Sequence, residues 1–199
     1  MVEIILKKEI IVNKALCRTL GVAAFIILTS LAAFVRIPLP FTPVPITLQT
    51  FFVLLSGAFL GSNLGAVSQL GYILLGICGL PVFTGAGSGL FYIFGPTGGY
   101  LFGFILASFF IGRFIPHQDA GAGFIKSAKN DLVFTFGLFC LADLVLLLSG
   151  ALWLKFLFGY NLPRSLSIGL LPFIPGDLLK IAVAVGFYTK LKSRVKEIF

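Results

Sequence analysis

Six stretches of this chain are apolar over lengths that approach or exceed the thickness of a lipid bilayer, and this limits the fold more than any other feature. A membrane-crossing helix needs about 20 mainly apolar residues, within a range of about 17–25. Residues 15–35 meet that length, and residues 47–61 and 64–80 follow as two runs split by the turn-forming Gly61-Ser62-Asn63. Residues 95–115, 132–154 and 165–191 complete the six. The last is too long for one straight crossing at about 1.5 Å per residue. It contains Pro172 and Pro175, so a regular helix is expected to begin or bend near Pro175.

Composition agrees. Of 199 residues, 58% are hydrophobic and 11% charged, with a mean hydropathy of +1.08. Soluble domains carry about 25% charged residues, and one of this size has too little interior to hide so much apolar surface. The expectation is an all-α integral membrane protein forming one domain over residues 1–199. No linker, low-complexity tract or internal repeat divides it. The first run exceeds the about 7–15 apolar residues of a cleaved signal peptide.

The net charge of +8 suggests nucleic acid only until the basic residues are placed. Lys7, Lys8, Lys14 and Arg18 precede the first run. Arg113, Lys126 and Lys129 flank the loop between the fourth and fifth, and Lys190, Lys192, Arg194 and Lys196 follow the sixth. The opposite side holds Arg36, Lys155 and Arg164. Basic residues gather on the cytoplasmic side of membrane proteins, so both termini are expected there. Lys180 belongs to neither side and falls inside the sixth run.

Ionisable residues inside a membrane cost about 2.5–3.5 kcal/mol each on insertion scales and mark functional positions. Three stand out: Asp143, Asp177 and Lys180. Asp177 and Lys180 are three apart, hence on one helix face. They are expected to line a cavity, or else Asp177 caps the helix after Pro175 and Lys180 pairs with it. Asp143 could face the cavity, pair with another span or meet a partner protein. The segment from Arg36 to Pro45 is proline-rich and apolar, which suits a packed lid rather than a solvated linker. It leads into Thr47, Gln49 and Thr50. Two glycine-rich stretches follow, Pro81 to Gly89 and Gly95-Pro96-Thr97-Gly98-Gly99-Tyr100. Glycine lets backbone approach a ligand closely or simply permits tight turns, and irregular backbone at membrane depth must line a cavity or be buried.

Other chemistry is missing from the sequence. There is no GxxxxGK[ST] loop, HExxH, GxSxG or CxxC. Cys17, Cys78 and Cys140 lie far apart and are expected to be buried thiols. The single histidine, His117, sits in a polar loop and cannot form a relay. An enzyme, a metal site and a cofactor are therefore not expected.

Four segments together resemble the BioY family, the biotin-specific S components of energy-coupling factor (ECF) transporters: Pro43-Val44-Pro45-Ile46-Thr47-Leu48-Gln49, Gly79-Leu80-Pro81-Val82-Phe83, Gly95-Pro96-Thr97-Gly98-Gly99-Tyr100, and Pro172 through Lys180. The resemblance runs from about Ala15 to Leu191. It implies a six-helix S-component fold in the bacterial cytoplasmic membrane, with a biotin site near the extracellular side. It also implies a transmembrane coupling subunit and two cytoplasmic ATPases as partners. Family members carry a small-residue stripe on the first span for docking the coupling subunit, and Ala15, Thr19 and Ala23 fit that position. Where the family's third outer loop can present asparagine, this chain has Gly85-Ala86-Gly87-Ser88-Gly89, so Ser88 or backbone would substitute.

The expected ligand contacts are Asp177, Lys180, Gln49, Thr47, Phe83, Thr84, Ser88, Thr97, Gly98 and Tyr100. Asp177 or Gln49 would accept from the ureido N–H groups, Phe83 and Tyr100 would cover the rings, and Lys180 would meet the carboxylate. Three readings stay open from sequence: an ECF-coupled carrier of biotin or of a different small vitamin, a solitary biotin transporter without ATPases, and a membrane scaffold that transports nothing.

Overall fold

The computed structural model describes residues 14–115 and 132–196. Lys7, Lys8, His117, Lys126 and Lys129 lie outside the described residues. Helix α1 spans Lys14–Ala32. A two-stranded ribbon follows, β1 (Arg36–Ile37) antiparallel to β2 (Ile46–Thr47), with Arg36 opposite Thr47 and Ile37 opposite Ile46. Then come α2 (Gln49–Ile77), the single turn α3 (Leu90–Ile93), α4 (Gly98–Phe114), α5 (Leu132–Phe158), α6 (Leu162–Gly169) and α7 (Ile174–Lys196).

The split expected at Gly61-Ser62-Asn63 is present as a reversal within α2. Gly61 has φ 81° and ψ 179°, a conformation that a side chain resists. The two arms run back along each other. Gln69 Nε2 donates to Ser56 Oγ at 2.9 Å, and Gln49 Nε2 donates to Tyr72 Oη at 2.6 Å, pairs lying progressively farther from the apex on both sides. A Cβ added to Gly65 would stand 2.8 Å from Gly57 Cα. Small residues allow this approach, and hydroxyl and amide groups bond across it where no water is available.

The boundaries of the other spans shift. The first helix ends at Ala32 rather than 35, because the ribbon takes over. The fourth begins at Gly98 rather than 95. The sixth run divides into α6 and α7, which meet at a bend of 50° beside Pro172. Pro175 falls in the first turn of α7, where its missing N–H deprives no helical bond. Among the described residues, the six expected crossings appear as seven helices, one reversed at Gly61, one a single turn and two forming a bent pair. By length and composition, α1 and α5 suffice to cross a membrane, α2 does so only when both its arms are counted together, the α6–α7 pair is a further candidate, and α4 is a shorter apolar helix.

The core lies where α2, α4 and α5 pack, around Tyr72, Phe104, Phe139, Leu146 and Ile111. Large apolar side chains remain exposed outside it, among them Leu20, Ile27, Phe156 and Val183, an arrangement that suits lipid and not water. The cysteines depart from expectation: Cys78 is exposed and Cys17 and Cys140 are only half-buried.

Candidate functional site

The first turns of α7 and α2 meet at one end of the bundle. On α7, Lys180 Nζ lies 2.7 Å from Asp177 Oδ1. Thr50, near the start of α2, completes a triangle: its hydroxyl donates to Asp177 Oδ1 at 3.1 Å and accepts from Lys180 Nζ at 3.1 Å. The Asp177 side chain bonds to these side chains and not to backbone N–H groups, so it is not a helix cap. Asp177 is 2% exposed, and its Oδ2 is buried without a partner. Buried polar atoms in native proteins are nearly always paired, so this orphan oxygen marks a place for a hydrogen-bond donor. A buried ion pair contributes little net stability after desolvation, which leaves function as the better reason for keeping one here.

Beside this corner, Gln49 is fully engaged. Its Oε1 accepts from Thr47 Oγ1 at 3.3 Å and Thr84 Oγ1 at 3.2 Å. Its Nε2 donates to Tyr72 Oη and to Thr29 O at 3.5 Å. A side-chain amide offers two donor and two acceptor positions, so none remains for a ligand. Gln49 instead ties α1, the lid strand β2, both arms of α2 and the glycine-rich loop together. It holds the wall in shape.

The wall is otherwise aromatic and apolar. Val44 and Pro45 of the lid, Tyr72, Tyr92, Tyr100, Leu101, Phe104, Leu146, Leu147 and Phe173 surround a cavity with about 510 Å³ of free space, its open side included. Small-molecule sites enclose about 300–1,000 Å³, mostly apolar, with a few placed polar groups. The tyrosine hydroxyls point into protein: Tyr72 donates to Val82 O, Tyr92 to Thr84 O and Tyr100 to Gly169 O. They present ring surface to the cavity.

Seven residues singled out from sequence line this cavity together: Thr47, Gln49, Thr84, Thr97, Tyr100, Asp177 and Lys180. Three do not. Phe83 is fully buried one layer back, stacked on Tyr92 with centroids 4.7 Å apart. Ser88 is exposed on the loop. Gly98 is buried where a side chain would collide with the Ile93 carbonyl, so its role is close packing. Sequence reasoning missed the lining aromatics Tyr72, Tyr92 and Phe104, whose only signal was a ring inside an apolar run, and Phe173, which lies within the segment from Pro172 to Lys180.

Asp143 of α5 lies in a second cavity, lined by Cys140, Leu147, Leu170 and Ile181 among others, and its Oδ1 has no partner. Leu147 borders both cavities. Ala15, Thr19 and Ala23 are exposed along α1, and the Thr19 hydroxyl is satisfied by Ala15 O at 2.9 Å. Among the described residues, no group of three or more His, Cys, Asp or Glu side chains could hold a metal ion.

Known proteins share both the sequence pattern and the architecture. The BioY family model matches residues 8–197. The chain is 37% identical over 159 residues to the biotin transporter BioY of Thermotoga maritima, covering 79% of this chain and 86% of that one. It is 34% identical over 181 residues to the biotin transporter BioY of Lactococcus lactis subsp. cremoris, covering 91% and 92%. Among solved structures, it resembles the S-component for biotin from an ECF-type ABC transporter, with a TM-score of 0.79 and 29% identity over 92% of this chain and 94% of that one.

Proposed function

The chain belongs to the BioY family, and from that premise we propose that it binds biotin and carries it across the membrane as the S component of an ECF-type uptake system. The observation that carries the reading is the buried Asp177–Lys180–Thr50 corner, with its orphan Oδ2, set in an aromatic-walled cavity. A ureido ring offers N–H donors beside a carbonyl acceptor. Asp177 Oδ2 can take an N–H, and Lys180 keeps one of its three N–H groups for the carbonyl. Because Asp177 and Lys180 stand 2.7 Å apart, both serve the same end of the ligand. The expectation that Lys180 meets the carboxylate gives way to this arrangement, in which acid and base offset each other and the ureido ring adds no charge, as suits a low-dielectric inner end. Tyr100, Phe104 and Phe173 offer ring faces to the bicyclic system.

The chain's sequence has no nucleotide-binding loop, so ATP hydrolysis falls to two separate ATPases, linked to this chain by a transmembrane coupling protein seated against Ala15, Thr19 and Ala23. The basic bias of the sequence supports a multi-pass arrangement in the cytoplasmic membrane with both termini inside and the cavity facing out. In vesicles, the chain alone should retain biotin binding without ATP-driven accumulation, and accumulation should need the coupling subunit and ATPases. ATP-dependent biotin uptake by the chain alone would contradict this division of labour.

A further inference from the structure

Arg36 is not among the residues that line the cavity, but it adjoins two of them and has no assigned task. Its position is fixed from two sides. In the ribbon it lies directly opposite Thr47, and residues directly opposite on an antiparallel pair share a face; Thr47 lines the cavity. Its guanidinium also reaches the glycine-rich loop: Nη1 lies 2.5 Å from where a Cβ on Gly85 would stand. Gly85 has φ +77°, and it directly follows Thr84, another lining residue. The absent side chain at Gly85 leaves a notch, and the guanidinium fills it. The cationic head, carried on the strand that pairs with the lining Thr47, therefore sits against Gly85, next in sequence to the lining Thr84.

This charge is uncompensated. Among the described residues the salt bridge is that of Lys180 with Asp177, and Arg36 has no acidic partner. The inner end of the cavity is already neutral, since its acid and base pair with each other. A ligand that is polar and neutral at one end and anionic at the other would leave its anion without a counter-charge unless the rim supplied one.

We propose that Arg36 is a specificity-determining residue, its guanidinium at the rim receiving the carboxylate end of the ligand whose other end is held at Asp177 and Lys180. The assignment rests on the biotin reading above. It gives the cavity a polarity: hydrogen bonding inside, a cation at the mouth. An exposed guanidinium could equally meet a lipid phosphate, and the test separates the two anions by using lipid-free detergent and by changing only the ligand's charge.

The experiment titrates the purified full chain and its Arg36→Gln variant with biotin and with biotinamide, which replaces the carboxylate by a neutral amide. At low ionic strength, Arg36→Gln should weaken biotin roughly two- to fivefold, the range of an exposed ion pair. Most of the loss should appear as slower association. The gap should close as salt is raised. Biotinamide should bind parent and variant alike, and Arg36→Lys should retain most of the preference for the anion. An equal loss for both ligands, or no loss for biotin, would overturn the assignment while leaving the biotin reading intact. Failure of the parent to bind either ligand would overturn that reading, and this inference with it.

Discussion

Asp177→Asn and Lys180→Ala should each weaken biotin binding by roughly tenfold or more. The first keeps the side-chain shape but turns the acceptor Oδ2 or its neighbour into a donor and removes the charge that Lys180 and Thr50 now share. Hydrogen bonds to charged groups contribute about 1.5–3 kcal/mol, and about 1.4 kcal/mol is tenfold in affinity. The second removes a donor and leaves a buried carboxylate held by the Thr50 hydroxyl. Breaking a buried pair in this way costs about 3–5 kcal/mol of stability, so Lys180→Ala should also melt earlier. Calorimetric titration, with size-exclusion profile and melting temperature measured for each variant, separates affinity from folding. Two variants that remain folded and bind biotin like the parent would make the pair a structural feature.

The second large effect concerns packing. Gly57→Ala should lower the melting temperature by about 4–8 °C, because the added Cβ would overlap the main-chain carbonyl of Ser108 and the side chain of Ile111. The carbonyl belongs to α4 and cannot rotate away, so the helix must move. Overpacking costs about 1–3 kcal/mol and occasionally more, and 1 kcal/mol shifts the midpoint of a chain this long by about 2–4 °C. The helix preference for alanine over glycine, about 1 kcal/mol, opposes this but is smaller than the steric cost of a backbone clash. Gly186→Ala provides the contrast. Its Cβ would meet nothing within 4 Å, so helix preference acts alone and the melting temperature should hold or rise. A fall of similar size in both variants would show that helix preference and contact geometry do not decide stability here.

Both effects trace to features of different legibility. The Asp177–Lys180 face is legible from spacing alone, because two opposite charges inside an apolar run are tolerated there chiefly as partners. Gly61-Ser62-Asn63 also signals its turn. The structure adds that the turn is a tight reversal, with both arms in contact over Gly57, Gly65 and Gln69. The pairing of Thr50 with that acid and base is not legible, since the partners are 127 and 130 residues apart and a threonine at a helix start has many uses. Gln49 is legible as a site residue but not in its role, which depends on Tyr72 and Thr84 reaching it from other segments. The glycine-rich loops suggest ligand-facing backbone in sequence. Two of their glycines instead make room for protein: Gly85 for the Arg36 guanidinium and Gly87 for the Tyr92 ring. Composition alone does not distinguish space left for a ligand from space left for a neighbour.

The central claim is that the cavity closed by the lid, α2, α4, α5 and α7 takes biotin. The most direct test is calorimetric titration of the purified, detergent-solubilised chain with biotin, and the account predicts saturable binding of one molecule per chain that is lost or much weakened in Asp177→Asn. A monodisperse, cooperatively melting chain that shows no saturable biotin binding would contradict it.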